Sequence, residues 1–206
     1  DALSKAHNID LNLPLAADLE KRTPLFYAAS CGHIQLVQFL CKEKHCDPSL
    51  TMVIEDSSSV YRGMSPLSIA ARHDHLPVVQ YLCEEQDCDS HLAQVAGNNK
   101  NWTPLHHAAS RGAYEVARYL IEVQQCDPNA TAESPNSRDS GKPYLQTALY
   151  LASENSCTAV ARYLLTQSDG KDLLSQSQYE SPLLAASSND NDELVALFTE
   201  HMQEKF

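Results

Sequence analysis

The chain has 206 residues and a formal net charge of −12, with a pI near 5.0. That length allows one large domain or two small ones, and the acidic balance argues against wholesale binding to a nucleic-acid backbone. No run of 18 apolar residues occurs, so no membrane-spanning helix is proposed.

The first stretch, DALSKAHNID, has neither the basic nor the apolar region of a secretory leader. It also lacks a starting Met, so a processed or excised piece of a longer protein is expected. The seven Cys are odd in number and scattered, unlike a secreted disulfide framework. Reduced thiols and an intracellular, cytoplasmic location are therefore expected.

From Arg22 the chain repeats itself. RTPLFYAASCGHIQLVQFLCKEKHCDP covers 22–48, MSPLSIAARHDHLPVVQYLCEEQDCDS covers 64–90, and WTPLHHAASRGAYEVARYLIEVQQCDP covers 102–128. A weaker copy starts at Gln146 and a last one at Glu180. Their key Thr or Ser residues stand at 23, 65, 103, 147 and 181, in steps of 42, 38, 44 and 34. In the first three copies Pro follows directly. A hydroxyl there caps free N–H groups and Pro fits the first helical position, so each copy opens with a helix. Small residues such as Ala28 and Ala29 let neighbouring helices approach. Gly32 and Gly112 end the helix at a position that needs positive φ; Asp74, Ser156 and Asp190 replace them elsewhere. A second helix follows, with apolar pairs Val37/Leu40, Val79/Leu82, Val116/Leu120 and Val160/Leu164. Cys-Asp-Pro at 46–48 and 126–128 then turns the chain.

These units resemble the ankyrin repeat, on Thr-Pro-Leu at 23–25 and 103–105, the Ala-Ala pairs, Gly32-His33 and Cys126-Asp127-Pro128-Asn129-Ala130. The resemblance implies an all-α solenoid of stacked helix-turn-helix units with hairpin-like loops. Single units expose an apolar face that stacking covers. The expected layout is a single domain over 1–206. Within it lie a partial N-terminal repeat or cap over 1–21, repeats over 22–62, 63–100, 101–144 and 145–178, and a fifth repeat with C-terminal cap over 179–206. Ile9–Asn12 reads as the tail of a truncated upstream copy. The connectors 49–63, 90–101 and 131–144 are long; the first alternates apolar residues like a lengthened hairpin, and the third, rich in Ser and Pro, reads as a surface finger.

Nine His and seven Cys raise the question of zinc. Paired ligands at metal spacing are missing, and Cys46, Cys88 and Cys126 share one repeat position, which reads as small buried residues. No cofactor or metal is expected. His33 matches the family's helix-linking His and His106 its Thr-Pro-Leu-His position, both structural; Asn129 reads as a turn residue in preference to a hydroxylation site. No phosphate loop, nucleophile elbow or H-E-x-x-H occurs, so no enzyme is expected; the nearest candidates would be His73 and Cys31.

The resemblance places partner contacts on the concave side, at residues one, three and four before each Thr/Ser and seven and eight after it. The expected partner-binding residues are Arg22, Tyr61, Arg62, Met64, Arg72, His73, Lys100, Trp102, Ser110, Arg111 and Tyr144. Tyr, Trp and Arg are common binding anchors, and a basic, aromatic groove favours an acidic or phosphorylated peptide. The expectation is a non-catalytic protein-protein interaction module, a monomer that binds a protein or peptide and neither nucleic acid nor membrane. The alternative is a structural or regulatory arm of a larger enzyme, channel or signalling protein that packs against its own parent chain.

Overall fold

In the computed structural model the described residues are 10–13, 22–51, 61–94, 101–133, 145–167 and 181–205. They form five helix pairs: α1 (Pro24–Ser30) with α2 (Ile34–Lys42), α3 (Pro66–Arg72) with α4 (Leu76–Glu84), α5 (Pro104–Ala109) with α6 (Tyr114–Glu122), α7 (Ala148–Glu154) with α8 (Thr158–Gln167), and α9 (Pro182–Ser188) with α10 (Asp192–Lys205). The first helices pack in sequence, α1 on α3, α3 on α5, α5 on α7 and α7 on α9. The second helices form a parallel row, α2 to α4 to α6 to α8 to α10. The chain is an all-α repeat solenoid, as its periodicity requires.

Each first helix starts as the hydroxyl rule dictates. Thr23, Ser65, Thr147 and Ser181 accept backbone N–H bonds from Phe26, Ser68, Tyr150 and Leu184 at 3.1 to 3.2 Å. Such a cap contributes about 1 kcal/mol. Ala29, Ala70, Ala71, Ala108, Ala109, Ala152 and Ala186 are fully buried where these helices meet.

The helix ends also repeat. Gly32, Asp74, Gly112, Ser156 and Asp190 all have positive φ, nine residues after the cap. His45, Asp87 and Gln125 hold a second positive φ just before the Cys that opens each turn. The Asp one residue after that Cys, at 47, 89 and 127, accepts a backbone N–H bond from Ser49, His91 or Asn129 at 2.8 to 2.9 Å. Asp10 makes the same bond with Asn12 N–H at 2.9 Å, and the Asn12 side-chain oxygen accepts from Asp47 N–H at 2.8 Å.

Two short strands, β1 (Thr131–Glu133) and β2 (Leu145–Thr147), pair antiparallel with Thr131 opposite Thr147. They close the base of the third connector; its tip, 134–144, lies outside the described residues. The hairpin expected from Leu50, Met52, Ile54 and Val60 falls mostly on 52–60, also outside them.

Candidate functional site

The residue before each capping Thr/Ser was expected to face a partner. The structure corrects this for Met64 and Trp102. Both stand one position before a helix cap, and an apolar residue there packs down on the fourth helical residue. Trp102 lies 5.1 Å from the His107 ring, between centroids, and Met64 is buried in the same core cluster as Ile69. Met64 is 0% exposed and Trp102 8%. Trp102 further donates its indole N–H to the Gln146 side chain at 3.3 Å and packs with Ala132, Tyr150, Leu151 and Ala185. Arg22 follows the same rule at the first repeat: its guanidinium sits 4.4 Å above the Tyr27 ring and donates to the Tyr27 hydroxyl at 3.1 Å. Ser110 is also buried, its hydroxyl donating to the His107 carbonyl at 3.0 Å. Lys100 and Tyr144 lie outside the described residues.

The remaining candidates stay nearer the surface. Tyr61 and Arg62 lead into α3, Arg72 ends α3, His73 caps it, and Arg111 follows the cap of α5. Tyr61 meets Phe26 edge to face at 6.3 Å. Burial and the neighbouring Arg111 cation push the Arg72 guanidinium down from its ordinary value. Burial also lowers His73, and Arg72, His75 and Arg111 add to this, against the pull of the Ser30 carbonyl. The site is therefore locally cationic in an acidic chain.

Two residues that hold this region were not singled out from the sequence. His75 stands where His33 stands one repeat earlier. Its Nε2 donates to the Ser30 carbonyl at 2.9 Å, tying the second repeat to the first; neither His75 nor His33 caps its own helix through the side chain. The register could have revealed it. Gln94 could not be read that way, because it sits in a connector. Its buried carboxamide donates to the Arg62 carbonyl and accepts from His107 Nε2–H at 2.9 Å. Its backbone brackets Trp102 and Asn101. Gln94 thus links the Arg62 loop to the α5 core.

The small-residue reading holds for Cys46 and Cys126, while Cys88 at the same repeat position is only partly buried. Cys41, Cys46, Cys83 and Cys126 are buried, and burial pushes Cys41 up to about 11 and Cys83 to about 12. They stay protonated at neutral pH, which leaves little of the nucleophilic thiolate. An open groove of about 620 Å³ lies on the second-helix side, lined by Tyr114, Thr158, Ala159, Arg162, Tyr163, Thr166 and Glu193. Its charges are already matched: Arg162 binds Glu193 at 2.9 Å, and the Tyr163 hydroxyl donates to Glu122 at 3.2 Å.

The comparisons with known families agree with this geometry. The family described as ankyrin repeats (3 copies) matches residues 51–132 and 95–177, and the one described as ankyrin repeat matches 20–50. None of the curated proteins compared matches the chain. Among the described residues no helix is long and apolar enough to cross a membrane. Ankyrin repeats are generally protein-protein interaction modules and typically non-catalytic. The five in-register helix pairs and these matches together place the chain in the ankyrin repeat family.

Proposed function

We propose that the chain is a non-catalytic recognition module that docks a partner protein through the concave side of its first three repeats. Tyr61, Arg62, Arg72, His73 and Arg111 are its contact residues, with Arg22 at the margin and Lys100 and Tyr144 contributed by the connectors. The partner segment is acidic or phosphorylated. One observation supports this above the rest. Cations on the second helices are neutralised within the chain: Lys42 by Glu85 at 2.7 Å, Arg118 by Glu115 at 2.8 Å and Arg162 by Glu193 at 2.9 Å. Among the described residues Arg62, Arg72 and Arg111 pair with no carboxylate. Charge left unmatched on one face favours a complementary partner.

Selection of peptides from a displayed library tests this reading. Acidic sequences should be enriched, and Arg72→Glu with Arg111→Glu should weaken the selected peptide at least tenfold, on the order expected for desolvated charge pairs. The unfolding midpoint should hold, and Arg118→Glu should leave binding intact. Binding should weaken with added salt. Selected peptides indifferent to the double reversal would remove this assignment.

A second reading, an arm that packs against other parts of its own protein, is favoured by the outer face of the first repeat. Tyr27, Leu36 and Phe39 are 42%, 44% and 46% exposed there. The register-equivalent residues of the next three repeats are all buried. Leu36→Glu with Phe39→Glu should then release such a neighbour in the whole protein; unchanged association would exclude it.

A further inference from the structure

Arg72 ends α3, Arg111 follows the cap of α5, and α3 packs directly on α5. Two guanidinium groups from adjoining repeats thus share one patch, and Arg111 is near enough to disfavour the charge on Arg72. Such repulsion is unfavourable unless an anion bridges it. His73 supplies a third group. Its Nδ1 lies 3.0 Å from the Ser30 carbonyl. A carbonyl only accepts, so the ring proton sits on Nδ1 and Nε2 is left open. His75 donates to the same carbonyl at 2.9 Å, which anchors that oxygen between the two rings.

We propose that Arg72, Arg111 and the open Nε2 of His73 form one binding site for a phosphate monoester carried by the partner protein. This rests on the concave-face reading and names the group recognised there. A carboxylate brings one charge and two oxygens, enough for one guanidinium fork. A phosphate monoester brings nearly two charges and three acceptor oxygens, enough for both forks and the imidazole. Burial comes first in keeping His73 neutral and the neighbouring cations add to it; the arriving dianion offsets those cations. The ring then takes one proton from solvent on Nε2 and donates it to the third oxygen. The charged groups facing His73 are Arg72 and His75 from its own repeat and Arg111 from the next. Burial raises Asp74, the adjoining acid, and Glu115 adds to it, against the pull of the Val116 N–H and His75; Cys157 beside Arg111 is held protonated by burial.

The experiment compares a phosphoserine peptide with its Glu counterpart, built on a sequence selected by the intact chain, while the His73 ring is followed by nitrogen NMR. The phosphopeptide should bind about tenfold or more tightly, the worth of one charge-assisted hydrogen bond. The His73 pKa should rise when it binds. Arg72→Gln with Arg111→Gln should reduce that preference to about twofold or less, and His73→Gln should reduce it with the fold intact by circular dichroism. Inorganic phosphate should move the same ring signals only at far higher concentration; tight binding of the free ion would overturn the assignment to a partner-borne group. Equal affinity for both peptides, with loss on charge reversal, would overturn the phosphate site and leave the concave-face reading standing. Indifference to charge reversal would overturn both.

Discussion

At the start of α5 a neutral imidazole takes the part usually played by a carboxylate. His106 Nδ1 accepts from the Thr103 N–H at 3.2 Å and hydroxyl at 2.8 Å, while Nε2–H donates to the Ala130 carbonyl at 3.1 Å. Protonating Nδ1 destroys the acceptor on which the cap depends. Burial holds the pKa of His106 at about 4, and His107 beneath Trp102 is depressed in the same direction by burial, with Arg72 and His106 adding to it. The unfolded chain, near 6.5, takes up its proton first as pH falls. This contribution is therefore complete above about pH 6.5 and is lost on the way down to about pH 4. By pH 5 His106 alone should remove about 2 kcal/mol, read as a lower denaturant midpoint; a constant midpoint from pH 7 to pH 5 would contradict it. Backbone geometry gives a second residue-scale expectation. Gly32 has φ +71°, and a Cβ there would come within 2.5 Å of the His75 ring, so Gly32→Ala should cost about 2 kcal/mol or more. Ser156 has φ +56° at the equivalent position. Ser156→Gly should stabilise by about 0.5–1 kcal/mol in thermal unfolding.

At the scale of the element, identical register does not mean identical energy. Leu36 in α2 and Leu194 in α10 both stand thirteen residues after their cap. Leu194 is fully buried and Leu36 is 44% exposed. Leu194→Ala should cost about 2–5 kcal/mol and Leu36→Ala less than about 1 kcal/mol; comparable losses in chemical denaturation would contradict the stacking order. Helix starts and αL ends were legible because each rests on contacts within one helix pair, and the buried Ala pairs because they recur at one position of the repeat. The proposed contact residues could be placed from the register only in part. Counting from the cap placed Arg72, His73 and Arg111 near one another, yet put Met64 and Trp102 outside, since it ignored the packing of a pre-cap residue onto the fourth helical position. Gln94 left no signal, because its partners Arg62 and His107 come from two different repeats.

Across the whole molecule, the repeats are coupled by a few recurring cross-links. The Tyr119 hydroxyl donates to Glu84 at 2.8 Å and the Tyr163 hydroxyl to Glu122 at 3.2 Å, each reaching the preceding second helix. The Lys42 ammonium, 5.4 Å from the Tyr81 ring centroid, bridges the first two repeats and pairs with Glu85. In a stack of this kind stability is a sum of unit terms and neighbour terms. Repeats two to four gain neighbour terms on both sides. The first repeat has its full set toward α3 and α4, while Tyr27, Leu36 and Phe39 on its other side remain largely open. Among the described residues the last repeat packs on one neighbouring repeat, but α10 extends over 14 residues and its exposed large apolar residue is Leu184 of α9. Local opening tracks the density of buried contacts. In this chain, native-state hydrogen exchange should therefore release amides of α1 and α2 before those of α9 and α10, and both before α5 and α6. Tyr119→Phe should speed exchange in the helices flanking that contact, α4 and α6, more than in α10. Uniform exchange across the five helix pairs would mean a single cooperative unit and would overturn the additive account.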